Sequence, residues 1–232
     1  MKLAIMQPYF LPYIGYFQLM AAVDVFILYD NIKYTKKGWI NRNRILLNGA
    51  DVTFSLPLKQ ASDSLDVIER ELSTDFDPDK LLNRFKGAYA RAPYFGQTIA
   101  LLESIVHHHE HNLFRYLHHS LACLCEHLDI ATEIRVSSEI PINHALKGQD
   151  KVLALCRAVG ADIYVNAIGG TDLYAKPDFC AQHVELRFLR SRLVEYPQLG
   201  APFVPWLSIV DVLMFNPLDV VRDCIATQYD FL

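Results

Sequence analysis

The sequence predicts an α/β fold: a parallel sheet with a helical insertion around residues 78–130. Three observations lead there. Two short, near-continuous apolar runs flank a helical stretch within the first 30 residues. A second strand–helix–strand pattern recurs over residues 133–165. The chain also carries ample core material, 52% hydrophobic residues in a length of 232. At roughly 100–200 residues per domain, that length fits a single α/β domain over residues 1–232.

Residues 3–6 and 24–30 are apolar runs of the kind a strand buried on both faces requires, as in a parallel sheet. Ile14, Phe17, Gln18, Met20 and Ala21 space as a short helix ending near Val23, which completes a compact βαβ unit. Residues 52–58 read as a further strand ended by Pro57. Pro78 opens a helix where its missing N–H costs nothing, and that helix runs to about Arg91. After a break at residues 92–96, apolar spacing predicts one long helix over 97–128. Residues 133–136 and 162–165 read as strands, with a helix over 147–159 closed by Gly160. Residues 184–189 alternate as a half-buried strand. The tail is helical from Ser208 to about Gln228, interrupted at Asn216 and Pro217.

With 22 basic and 26 acidic side chains the formal charge is −4, which argues against non-specific nucleic-acid binding. No run of 18 uncharged apolar residues predicts a membrane span. The apolar start at residues 3–6 is too short for a signal-peptide core. Five cysteines without CxxC spacing favour neither a disulfide framework nor a four-cysteine zinc site. A reduced, cytoplasmic protein is expected.

Two clusters invite chemistry. The run from Gln7 to Phe17 packs Pro8, Tyr9, Pro12, Tyr13, Gly15 and Tyr16 into the first strand-to-helix turn, where α/β folds place ligands. Gly15 would let a ligand approach the helix start and its free N–H groups. The plainer alternative is an aromatic turn packed on the core. The second cluster, residues 30–44, follows the second strand. Lys33, Lys36, Lys37, Arg42 and Arg44 supply phosphate donors, Tyr34 and Trp39 supply stacking surfaces, and Asn41 and Asn43 offer both donors and acceptors. A solvated basic loop is the alternative. In an acidic chain this local stripe points to an anionic small molecule.

A third region, with Lys147 and then Asn166, Gly169 and Gly170 after a strand, would again admit close backbone approach, although ordinary turns use Gly-Gly pairs too. His107 and His111 stand at i, i+4 on the long helix, a metal-compatible spacing. The order HExxH is absent, so a solvated face is the better reading and no metal ligand is assigned. No GxSxG pattern supports acyl-enzyme chemistry.

The run from Gln7 to Phe17, the pair Tyr29-Asp30 and the run from Lys37 to Arg44 resemble the opening of the WbqC-like protein family. The match continues at Gly148-Gln149-Asp150 and from Asn166 to Gly170, and ends over Phe203 to Asp211. That resemblance implies a role in surface polysaccharide (O-antigen) biosynthesis as an acyl or aminoacyl transferase, with glycine among the candidate groups. More distantly, the layout is similar to the HxGH nucleotidylyltransferases and pantothenate-synthetase-like ligases. This implies a Rossmann-like, nucleotidylyltransferase-like sheet and use of ATP with Mg²⁺. Tyr13 and Tyr16 stand where that motif has histidines, and a phenol of pKa about 10 carries no positive charge near neutrality.

Under these likenesses Lys36, Lys37, Arg42 and Arg44 clamp phosphates, and Tyr9, Tyr13, Gly15 and Tyr16 line a nucleotide cradle. Gln7, Asn41 and Asn43 orient the acyl substrate, and Trp39 forms a stacking wall. Asp30 holds a magnesium-bound water or takes the acceptor's proton, while Asn166, Gly169 and Gly170 complete the site. Lys37, Arg42, Asp30 and Asn41 are the catalytic candidates. The expected ligands are a nucleotide or nucleotide-sugar and an amino acid, with neither nucleic acid nor membrane as partner. A non-catalytic binding module of the same pathway is the alternative. A glycosyltransferase ranks lower, because the acidic pair Asp75 and Asp77 precedes Pro78 in a loop rather than following a strand.

Overall fold

A computed structural model describes residues 1–200 and 202–232. Its centre is a six-stranded sheet of β1 (Lys2–Met6), β2 (Val25–Leu28), β5 (Glu133–Val136), β6 (Ile163–Ala167), β7 (Glu185–Ser191) and β8 (Tyr229–Phe231), in the order β5-β2-β1-β6-β7-β8. The first five are parallel, and β8 closes one edge antiparallel to β7. From β1 the chain builds outward to β2 and β5, then returns to the other side of β1 with β6 and β7. The fold is Rossmann-like α/β, and its order reverses between β1 and β6, the place where such sheets bind ligands.

Alternating side chains build two cores. Leu3, Ile5, Val25, Ile27, Tyr164, Leu186 and Phe188 face α5 (Gly148–Val159) and α6 (Lys176–Cys180), whose Val152, Leu155, Cys156 and Phe179 are buried against them. Ala4, Phe26, Leu28, Val165 and Leu189 face the larger core on the other side. That core also holds α1 (Ile14–Ala21), α7 (Ile209–Phe215) and α8 (Leu218–Thr227). All four residues of β2 are buried, as a continuous apolar run requires. Gly160, at φ +73°, ends α5 in the left-handed conformation that glycine adopts freely.

The excursion between β2 and β5 is larger than its helices alone. Strand β3 (Arg42–Leu47) pairs with β4 (Ala50–Ser55) in a separate antiparallel hairpin, turned by Asn48 and Gly49, both at positive φ. The basic stretch expected as a loop therefore ends in a strand. Three helices follow: α2 (Pro78–Tyr89), α3 (Phe95–Val106) and α4 (Leu113–Leu128). The single helix expected over 97–128 is two, because Asn112 caps α4, its side chain accepting from Arg115 N at 3.1 Å. His107 then caps α3 and His111 lies beyond it, so their i, i+4 helical spacing does not exist. His107 instead meets Asp79 at 3.0 Å. No group of three His, Cys, Asp or Glu side chains among the described residues is arranged to hold a metal ion. Among the described residues no helix is long and apolar enough to cross a membrane.

Candidate functional site

A cavity of about 280 Å³ opens beside the switch point, at the C-terminal ends of β1, β6 and β7. The turn after β1 contributes Tyr9, Pro12 and Tyr13, and the hairpin side contributes Trp39, Asn43 and Arg44. Ile168 follows β6, Ser191 ends β7, and Trp206 comes from the segment before α7. The walls are mostly aromatic or apolar with a few polar groups, the usual make-up of a small-molecule site.

Three segments distant in sequence are tied into one unit here. Phe10 N donates to Ile40 O at 3.0 Å, and Asn43 Nδ2 to Leu11 O at 2.8 Å. Ser208 Oγ donates to Leu11 O at 2.7 Å, and Ser208 N to Arg44 O at 2.9 Å. Ile209 N reaches Pro12 O at 2.8 Å, and Arg44 Nη2 reaches Trp206 O at 3.2 Å. This lattice holds two bulky residues in the left-handed region, Leu11 at φ +45° and Trp206 at φ +58°. Such conformations cost on the order of 1–3 kcal/mol each and cluster at ligand sites. Asn48 and Asp129, by contrast, adopt positive φ in a hairpin turn and a helix cap, where it is ordinary turn chemistry.

Arg42 and Arg44 carry their guanidinium carbons 5.7 and 5.6 Å from the Trp39 ring centroid. Arg44 is also bound to Asp51 at 2.9 Å, so its charge is largely matched. Arg42 donates through Nε to Gly38 O at 2.9 Å and through Nη2 to Lys37 O. Burial pushes the Tyr9 and Tyr13 phenols up from their usual range, so both stay protonated and can donate. Among the described residues, no Asp, Glu, His or Lys lines the cavity.

The sequence model of the WbqC-like protein family matches residues 7–223, nearly the whole chain and all three tied segments. The chain belongs to the WbqC-like protein family. It is 30% identical over 219 residues to the uncharacterized protein Rv1507c of Mycobacterium tuberculosis, covering 93% of each chain. No solved structure matches.

Of the residues singled out in this WbqC-like chain, Tyr9, Tyr13, Trp39, Asn43 and Arg44 meet at the cavity. Arg42 stands against its wall through Trp39. Lys36 is exposed and paired with Asp63 at 2.7 Å, and Lys37 is exposed outside the lining. Gln7 lies at the end of β1, where its carbonyl accepts from Tyr16 OH at 2.9 Å.

Several expected contacts turn inward instead. Tyr16 is 2% exposed and belongs to the core. A Cβ on Gly15 would fall 2.3 Å from the Tyr13 ring, so the close approach that glycine permits is taken by Tyr13 rather than left to a ligand. Asn41 is buried, accepting from Tyr34 OH and donating to Leu56 O, both at 2.8 Å. Asn166 Oδ1 accepts from Ala167 N at 2.8 Å, and Gly170 leaves room for the Asn166 amide, 2.3 Å from where a Cβ would stand. Gly169 is exposed beside it.

Asp30 is fully buried, away from the cavity lining. Its Oδ1 accepts from Ser138 N at 2.9 Å, while Oδ2 has no partner. Nearby, the Lys151 ammonium donates to Asn31 O and Oδ1 at 3.1 and 3.0 Å, and burial pushes its pKa down.

Pro12, Ile168, Ser191 and Trp206 were not among the expected site residues. Trp206 did carry a signal: it is one of only two tryptophans, and it lies in the last stretch of the family match. Both tryptophans line the cavity.

Proposed function

We propose that this chain is an acyl or aminoacyl transferase acting on a sugar precursor of surface polysaccharide (O-antigen) biosynthesis, with glycine among the candidate groups. In this reading the cavity holds the sugar ring of a nucleotide-sugar. The observation that carries it is the pairing of two exposed tryptophans and two tyrosines with Arg44 and Arg42 at the switch point. Indole and phenol faces suit the apolar faces of a pyranose or a base, and guanidinium groups suit a phosphate beside it.

The lining residues do not fit a magnesium–ATP complex. Arg44 is the one cation among them and already faces Asp51. A carboxylate to hold magnesium is missing from the lining, and Asp30 is enclosed elsewhere. We therefore favour transfer from a pre-activated donor over an acyl adenylate made in this cavity. The acceptor's hydroxyl or amine would attack the acyl carbonyl, the donor's leaving group would depart with the bonding electrons, and the acceptor's proton would pass to solvent or to the leaving group. Tyr9 and Tyr13, held as phenols, would donate to the developing oxyanion. Positioning and fixed dipoles would supply the rate.

The lack of an acid–base pair in the lining also favours a second reading, a nucleotide-sugar-binding module without turnover. One experiment separates the routes. Purified protein is given a nucleotide-sugar with either glycine, ATP and magnesium or a glycyl thioester, and the products are read by mass spectrometry. Acylated sugar from the thioester alone supports the proposal. Amino-acid-dependent exchange of pyrophosphate into ATP overturns it in favour of adenylation. Saturable sugar binding without product from either donor supports the binding module.

A further inference from the structure

A second hollow adjoins the main cavity and shares two of its aromatic residues. Tyr13 and Trp206, whose ring centroids lie 6.2 Å apart at 76°, also line a second cavity of about 30 Å³. Leu193, Phe203, Val212 and Val220 are among its other walls. Three of its polar residues are already engaged, Tyr196 through its OH to Asp211 Oδ2 at 2.8 Å. Arg192 Nε donates to Asp230 at 3.1 Å, and Asn216 Nδ2 donates to Val212 O at 2.8 Å. A hollow of this size, lined mostly by apolar side chains, has room for about one or two carbon atoms. The left-handed backbone of Trp206, tied through its carbonyl to Arg44, places the residue in the lining of both spaces, which therefore adjoin.

We propose that this second cavity is a subsite for a methyl-sized apolar branch on the ring held in the first. The ligand class is then a sugar bearing a short acylamino group, such as N-acetyl, rather than a plain polyhydroxylated sugar. The inference rests on the reading that the larger cavity holds the sugar ring. It goes beyond that reading by fixing which sugars the site prefers.

Calorimetric titration with UDP-N-acetylglucosamine and UDP-glucose tests it. A well-fitted methyl in an apolar pocket is worth about 10-fold or more, so the acetamido sugar should bind at least that much more tightly. Val220 is 42% exposed, so Val220→Phe can add bulk at the hollow without displacing the core, and it should erase the difference between the two sugars. Leu193, 48% exposed, offers the opposite change: Leu193→Ala should shift preference toward the N-propanoyl analogue. Thermal melts check that both variants fold. Equal affinity for the two sugars, or a preference that both variants leave intact, overturns the subsite while the sugar reading stands. Failure of either UDP-sugar to bind overturns both.

Discussion

Asp211 offers a sharp test of how the site is held. It lies in the first turn of α7, five residues after Trp206, and is fully buried. Tyr89 OH donates to Oδ1, and Tyr196 OH and Gln198 Nε2 donate to Oδ2, each at 2.8 Å. Asp211→Ala strands all three donors. A hydrogen bond to a charged group contributes about 1.5–3 kcal/mol, but removing the buried carboxylate also relieves its desolvation. Three buried donors left unsatisfied at about 1–3 kcal/mol each, less that relief, give a net cost of about 3–5 kcal/mol. For a chain of this length each kcal/mol is about 2–4 °C in melting temperature, so a fall of about 10 °C is expected at neutral pH.

The pH dependence has a definite sign. Burial raises the Asp211 pKa above its unfolded value of about 3.9. The pH-dependent part of its stabilisation, which adds to what the hydrogen bonds supply at neutral pH, is therefore fully present below that value and is lost as pH rises through the higher folded one. The gap between native protein and variant, measured by urea unfolding, should widen from about pH 7 to about pH 4. A loss under about 1 kcal/mol, or a gap that narrows on acidification, would refute the argument.

Three further outcomes follow from individual contacts. Gly15→Ala should gain up to about 1 kcal/mol of helix propensity yet displace the Tyr13 ring 2.3 Å away, so ligand affinity should fall while the melting temperature holds. Asn41→Ala strands Tyr34 OH and Leu56 O in the interior and should cost about 2 kcal/mol. Ligand affinity of that variant, measured below its melting transition, should stay near the native value. His107 gains proton affinity from its contact with Asp79, so its stabilisation is present below the unfolded pKa of about 6.5 and lost as pH rises through the folded value. Because the pair is exposed, His107→Gln should cost under about 1 kcal/mol near pH 5.5 and nothing measurable near pH 8, read from paired melts.

The parallel strands were legible because burial on both faces leaves an unbroken apolar run, as in residues 25–28. Strand β3 was not, since Arg42, Asn43 and Arg44 look like a loop. Asn43 is nonetheless buried, because its amide satisfies Phe10 O and Leu11 O, main-chain partners more than thirty residues away that local pattern cannot reveal. The break at Asn112 hid in a polar stretch that could equally have been a solvated helix face. Strand β8 has three residues, too few for a period to show.

The same limit governed the site. Its aromatic and cationic clusters were visible as composition, and Tyr9, Tyr13, Trp39, Asn43 and Arg44 do converge. Tyr16 and Asn41 have the residue types of ligand contacts, but Tyr16 is bound to the Gln7 carbonyl and Asn41 to the Leu56 carbonyl and the Tyr34 hydroxyl. Ile168 and Ser191 reach the cavity only through strand order, which sequence spacing does not encode.

The most direct test of the central claim uses the chain's own reporters. Both of its tryptophans line the proposed sugar-binding cavity, so tryptophan emission, excited selectively, reports on that cavity and the hollow beside it. Titration with nucleotide-sugars should give a saturable change in emission, weakened at least tenfold in Arg44→Ala and reduced in amplitude in Trp206→Phe. Binding of the same ligands seen by calorimetry with unchanged emission would contradict the placement of the site at the switch point.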